Sequence, residues 1–549
     1  VAAMTYYNYI TGADQGKYPR DLRQEAMDFM AVAFADMDDG VQVAAKFLKD
    51  KKVGFKDSLY YRIGMKNKDH DRNDEAVQAF RYLLDINPDY VDAPLADLAM
   101  VEILLIQQKP DEAQQQRYLV IKRYNDNSSW YQKNRKYPES VEAAEHAIRS
   151  AMLDIPKYDH ARAEKLWKSG DTEGAKKVYA QAVQGYSAFL QRYDKNPSWD
   201  EYVVHIYLAQ LYQELSNFSK AAQMYDWIVF TDTTRYGRRP VGSESLLKKE
   251  EAGYDAVLMM DTSRALAQQQ QAGGDPVKAY SLPETKAYFA EVDRYMKVFS
   301  KQKEAAELAY NAAIVHYNAK QYATAVTVLR KLRQDYPNHQ YILLISRMLA
   351  QSLLESNQLD ESQKEYEWLL KQYSEVKATR NDSMATVIRT AIAAVLYQRA
   401  DQLVTKGQYE AGAQSYLALV KAYPLADFAD KAVFAAGEAY EKGKAYTKAA
   451  EAFMLIPMQY AHSSLTIKAI LRAALAYKND KKPRDAAGTF LFITNNFPQD
   501  SMAFKAIGFA AATYDSIPDK KQAAQTYEIA YKKRSEEHTS ELQSLSRIS

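Results

Sequence analysis

Residues 437–456 read GEAYEKGKAYTKAAEAFMLI, and residues 474–493 read ALAYKNDKKPRDAAGTFLFI. In register, Gly437, Tyr440, Ala449, Phe453 and Ile456 fall on Ala474, Tyr477, Ala486, Phe490 and Ile493, each 37 residues on. A further 37 residues reach Ala511, Tyr514, Ala523, Tyr527 and Ala530, and 37 back reach Ala400, Leu403, Gly412, Tyr416 and Leu419. Intervals of three and four residues stack side chains on one helix face. The small residue marks a close approach of two helices, and the aromatic fills the adjoining gap. Polar turns separate the half-patterns, Lys442-Gly443-Lys444 in one copy and Lys406-Gly407-Gln408 in another. Pro424 and Pro498 close their units, because proline offers no N–H and clashes with the preceding turn. Each unit predicts a helix–turn–helix hairpin whose apolar face needs a neighbour to cover it.

The order small residue, Tyr, Gly-containing turn, Tyr, Ala, aromatic, Leu, Pro resembles the tetratricopeptide repeat. Asn318-Ala319-Lys320-Gln321-Tyr322-Ala323-Thr324-Ala325, closing on Tyr336-Pro337, is a close copy. So is Tyr409-Glu410-Ala411-Gly412-Ala413, closing on Tyr423-Pro424. Further copies run through Ala350, Leu353, Tyr366 and Leu369, and through Ala209, Tyr212, Ala221, Tyr225 and Ile228. An early one holds Gly64, Ala76, Phe80, Leu83 and Pro88. The resemblance implies an all-α fold, an α-solenoid of helix–turn–helix repeats wound into a right-handed superhelix. It assigns 1–200 to diverged repeats, 201–230 to one regular repeat and 301–533 to a regular array, with the 37-residue period over 393–533.

The pattern breaks over 231–300, which reads as an insertion or linker. Its turn-rich start carries Arg235, Arg238 and Arg239, a candidate contact for an acidic partner. A helix is expected over 244–261, and Gln268 to Asp275 is expected to form a flexible, low-complexity loop. The segment is either a functional interruption or a tolerated surface insertion. Residues 534–549 open with Arg534-Ser535-Glu536-Glu537-His538, which resembles the translation of a sequencing-library adapter. They are expected to be non-native, and His538 with them. The chain opens at Val1, which leaves a lost signal peptide or lipid anchor open.

Composition narrows the chemistry. With no cysteine among 549 residues, disulfides, thiolate catalysis and Cys-type zinc sites are excluded. The 72 Lys+Arg nearly balance 70 Asp+Glu, so no basic excess points to nucleic acid. Mean hydropathy is −0.50, and no apolar run nears the length of a membrane span. Asp36-Met37-Asp38-Asp39-Gly40 fails as a calcium loop, because Gly falls one place early and Phe47-Leu48 stand where a bidentate Glu is needed. Asp69-His70-Asp71 with Asp74 sits in a repeat turn, where charges are ordinarily solvated. Glu142, Glu145 and His146 lack a matching second helix for a di-metal bundle. His316 takes a helix-contact position and reads as packed. No phosphate loop, serine elbow or zincin motif is present, so no catalytic residue, metal or cofactor is assigned.

In the tetratricopeptide family the first helices of successive hairpins line a concave groove that holds peptides. By helix face this resemblance assigns Tyr310, Ile314 and Tyr317, then Tyr397 and Asp401, Phe434 and Glu438, and Leu471 and Leu475. For each of them, simple packing between helices is the alternative. Co-chaperone members clamp a terminal carboxylate with Lys and Asn, but Tyr310 and Ile314 stand on this wall. The endings Leu332…Tyr336-Pro337, Leu419…Tyr423-Pro424 and Ile493…Phe497-Pro498 resemble bacterial cell-envelope repeat proteins, of the outer-membrane-assembly lipoprotein and Tol–Pal-associated coordinator type. That resemblance implies a non-catalytic scaffold for other proteins or peptides, at the periplasm or outer membrane, with no nucleic-acid partner. Two other readings stay open: the substrate-recruiting part of a larger enzyme, and a cytoplasmic regulatory adaptor.

Overall fold

A computed structural model describes residues 1–19, 22–193, 198–236, 246–376, 382–518 and 520–532. Among them every regular element is a helix. The expected non-native tail, 534–549, lies outside the described residues. The chain forms two compact units, Val1–Gly273 with Leu282–Phe299, and Gly274–Ser281 with Ser300–Ser549.

The second unit is a run of hairpins: Ala305–Asn318 with Tyr322–Asp335, Ile342–Glu355 with Leu359–Val376, Asp382–Thr405 with Tyr409–Ala422, Ala429–Lys442 with Tyr446–Gln459, and Thr466–Asn479 with Pro483–Asn496. Ala503–Asp515 and a helical stretch over 520–532 follow. Each helix packs on the next in chain order, as a one-dimensional stack requires. In the hairpin of Ala429–Lys442 and Tyr446–Gln459 the aromatic of the repeat is the centre of the contact. Phe453 is fully buried between Gly437 and the ring of Phe434, whose centroid lies 5.1 Å away. Burying such a side chain is worth about 1.5–3 kcal/mol, which an isolated hairpin would forfeit.

The turns show how lysine does a glycine's work. Lys320, Asn357, Gly407, Lys444 and Lys481 all take left-handed φ values, between 58° and 79°. The following N–H reaches the carbonyl five residues back: Gln321 to His316, Gln408 to Leu403 and Ala445 to Tyr440, each at 2.9 Å. This Schellman-type closure satisfies a helix-end carbonyl, against a steric cost of about 1–2 kcal/mol for a Cβ in that region. Gly443, the turn glycine of the sequence pattern, is not the left-handed residue. Its φ is −77°, and Lys444 makes the turn. At the far end of the hairpin the closing tyrosines stitch neighbours together. Tyr460 Oη donates to Pro424 O at 3.1 Å, and Tyr336 Oη donates to Ser300 O.

The first unit uses the same hairpin, with longer helices, of 31 and 22 residues, in the pair over 138–193. Lys56–Asp69 pairs with Asn73–Ile86, Ala93–Ile106 with Pro110–Tyr124, Pro138–Lys168 with Thr172–Tyr193, and Trp199–Glu214 with Phe218–Phe230. Gly64 faces Phe80 here as Gly437 faces Phe453 there. One polar network is sealed inside: Asp97, fully buried, accepts from Arg123 Nη1 at 2.9 Å, from Tyr124 Oη and from Gln116 Nε2.

The interruption over 231–300 differs from expectation. The helix expected at 244–261 runs Lys249–Ala272, so Gln268 to Gln271 are helical rather than a loop. Glutamine is a good helix former, and the stop comes only at Gly273 and Gly274, with φ of 60° and 84°. This helix pairs with Pro283–Phe299 and packs on Phe218–Phe230, which makes it a hairpin rather than a linker. The two helices cross at Gly253, where a Cβ would meet the Phe299 ring at 2.9 Å.

Candidate partner-binding face

The first helices of the second unit carry half-buried and exposed side chains along one side. On Ala305–Asn318 that side carries Tyr310, Ile314 and Tyr317, all half-buried, at helical intervals of four and three. The Tyr317 ring lies 5.3 Å from Tyr322, edge to face. Burial raises the pKa of both Tyr310 and Tyr317, so their hydroxyls stay protonated donors. On Ile342–Glu355 the same side carries Arg347, Gln351 and Glu355. Gln351 Oε1 accepts from Tyr366 Oη at 2.7 Å, which ties the face to the second helix of its own hairpin. These three residues are not among those the sequence pattern singles out. Adding the 37-residue period to Tyr310 and Ile314 lands on Arg347 and Gln351, so the signal was present.

Further along, Tyr397 is half-buried, 4.9 Å from the Tyr416 ring and 5.7 Å from Phe428. Asp401 is exposed and accepts from Tyr416 Oη. Burial, and then this carboxylate, push the Tyr416 hydroxyl far above its ordinary range. Phe434 requires correction: it is 7% exposed, in the core instead of on the wall. Lys468 Nζ stands 4.8 Å over its ring and the Arg472 guanidinium 5.9 Å, so the next repeat covers it. Glu438 pairs with Arg472 at 3.3 Å, and Glu441 holds the same guanidinium. Leu471 is half-buried, and Leu475 is 46% exposed.

The remaining candidates are dispersed. Arg238 and Arg239 lie outside the described residues, as does the side chain of Arg235. Asp71 makes a left-handed turn, and Asp74 accepts from Gln107 Nε2 at 2.8 Å. Glu145 pairs with Arg192 at 2.8 Å. His316 is 8% exposed, its Nδ1 3.0 Å from Tyr280 Oη. His205, which the sequence did not single out, lies flat on Trp227 at 3.6 Å, and burial pushes its pKa down to about 4. Among the described residues no group of three or more His, Asp or Glu could hold a metal ion, and no helix is long and apolar enough to cross a membrane.

Two family models of the tetratricopeptide repeat match the chain, one over residues 307–339 and one over 397–456. They cover the hairpins that carry Tyr310, Ile314 and Tyr317, and Tyr397, Asp401 and Glu438. No curated protein matches the chain in sequence. Among solved structures the chain is similar to the P58(IPK) TPR domain, at 14% identity and a TM-score of 0.23, over 84% of this chain and 98% of that one. It is similar to yeast Tom70 at 12% identity and a TM-score of 0.20, over 89% and 96%. It is also similar to the apo form of the quorum sensor NprR from B. thuringiensis at 15% identity and a TM-score of 0.23, over 68% and 97%. Superposition this loose carries no information about what the chain binds.

Proposed function

We propose that the chain, which carries tetratricopeptide repeats over 307–339 and 397–456, is a non-catalytic protein–protein interaction scaffold. Partner peptides lie along the first-helix side of the second unit. The observation that carries this reading is the row of half-buried tyrosines there. Tyr310, Tyr317 and Tyr397 are each half-buried, so part of each side chain stays open beside the neighbours it packs on. Tyrosine in that setting supplies large contact area and a hydrogen bond at low entropic cost. Polar neighbours such as Arg347, Gln351 and Asp401 orient a chain laid across them. Nucleic acid is not a partner in this reading, since the charge of the whole chain is nearly balanced.

The site of action is the bacterial cell envelope, at the periplasm or outer membrane, where the scaffold organises other envelope proteins. The Tyr-Pro and Phe-Pro endings at Tyr336, Tyr423 and Phe497 support this placement through their resemblance to envelope repeat proteins. A photo-crosslinking residue placed at Tyr310 or Tyr397 of the full chain in cells tests both parts. The expected result is a discrete adduct to an envelope protein, and the adduct from position 397 should be lost in the Tyr310→Ala, Tyr317→Ala double variant. Equal adducts from Thr327, exposed on a second helix, would remove the first-helix side as the binding face. Adducts only to cytoplasmic proteins would remove the envelope placement.

A further inference from the structure

Three consecutive first helices carry lysine at the same place. Lys431, Lys468 and Lys505 are 37 residues apart, each three residues ahead of Phe434, Leu471 and Gly508. All three are exposed, and among the described residues none has an ion-pair partner. Two acids of the same helix as Lys431, Glu438 and Glu441, both hold Arg472. Two apolar side chains stand open on the same helices. Leu475 and Phe509 are each 46% exposed, and a Cβ on Gly508 would meet no atom within 4 Å. The result is a row of three exposed lysines without ion-pair partners, Lys468 lying also over the Phe434 ring, with Leu475 and Phe509 open on the same helices.

We propose that this row takes a peptide segment that mixes acidic and apolar residues. Its carboxylates would pair with Lys431, Lys468 and Lys505, and its aliphatic side chains would cover Leu475 and Phe509. The inference rests on the reading of the first-helix side as the binding face, and it adds the chemistry of the partner. Charge complementarity sets the sign, because three cations without ion-pair partners repel a basic segment and are screened when salt rises. The two open apolar side chains set the rest, since a purely acidic chain leaves Leu475 and Phe509 wet.

The test is fluorescence anisotropy of the full chain with a labelled peptide of Glu-Leu-Ser repeats. Controls carry Lys for Glu, or Ser for Leu. The Glu-Leu-Ser probe is expected to bind best, to weaken with salt, and to lose at least about tenfold affinity in the K431E, K468E, K505E variant. Leu475→Asp should weaken the same probe. All four positions are exposed, and an unchanged circular dichroism melt confirms the fold. Equal binding of the Lys probe, or wild-type affinity in the triple variant, overturns the proposal. So does tighter binding of a single-stranded oligonucleotide than of the Glu probe. If these probes fail while crosslinks at Tyr310 and Tyr397 persist, only the partner chemistry falls. If both fail, the binding face itself falls.

Discussion

A Cβ placed on Gly437 would stand 2.5 Å from Cε1 of Phe453, a ring with no exposed surface. Ala313, Ala400 and Ala474 hold the same place in sister hairpins, so a methyl fits only where the helices are spaced for it. Gly437→Ala should therefore destabilise. Overpacking costs about 1–3 kcal/mol, more than the helix-propensity gain of about 1 kcal/mol. Gly488→Ala is the opposite case, on an exposed helix side with nothing within 4 Å of its Cβ. It should stabilise by up to about 1 kcal/mol. Urea unfolding of the two variants should move in opposite directions, and a shared sign would refute the contact.

Glu291 makes the stability of the first unit depend on pH. It is 3% exposed on Pro283–Phe299, beside Asp226 of Phe218–Phe230, with Arg294 at 3.1 Å. Burial first, and then the Asp226 charge, push its carboxyl from 4.5 up to about 8. A proton on Glu291 also gives the buried Asp226 Oδ1 a donor it otherwise lacks. The folded state thus holds a proton that the unfolded chain releases. The contribution is complete below about 4.5 and is lost as pH rises towards about 8. Thermal melts should show the unit weakening from mildly acid to neutral pH, and Glu291→Gln should flatten that slope. Parallel slopes in the two proteins would assign the dependence elsewhere.

The repeat was legible because the Gly437–Phe453 contact is a steric demand that must recur wherever two helices approach so closely. Side-chain partners across repeats were less legible. Phe434 stands at a wall position by register, yet Lys468 and Arg472 of the following helix cover it. Nothing within its own repeat announces them. Arg347 and Gln351 were within reach of the period, but a search for apolar walls passes over polar residues. The lysine turns were hidden for a related reason, since the left-handed residue is fixed by hairpin geometry and Lys444 accepts the strain that Gly443 does not take.

The Asp97 network should be costly to break from one side. Asp97 is fully buried, and it is the acid that Arg123, 30% exposed, pairs with. Burial raises the Asp97 pKa, while Arg123, Tyr124 and Gln116 work against that rise. Asp97→Ala leaves a cation and a tyrosine hydroxyl facing a void, a loss of roughly 3–5 kcal/mol. Asp97→Asn keeps one acceptor and should lose less. Hydrogen exchange over Ala93–Ile106 and Pro110–Tyr124 reads the effect locally, and equal protection in the two variants would show that the acceptor is not what matters.

The glutamine run offers the most direct test of helix against loop. Gln269 is exposed inside Lys249–Ala272, so replacing its side chain removes little packing. Proline there removes the N–H that bonds four residues back and sets its ring against that carbonyl, at about 3 kcal/mol or more. In a loop the same change would be near neutral. Gln269→Ala keeps the helix and should leave the melt unchanged or slightly raised. Gln269→Pro should lower the melting temperature and expose amides on both sides of residue 269 to exchange. The start of the partner helix Pro283–Phe299 should lose protection with it, because Gln271 Nε2, beyond the proline, donates to Glu284 Oε1 at 3.2 Å. A proline variant that melts with the wild type would return 268–275 to a loop.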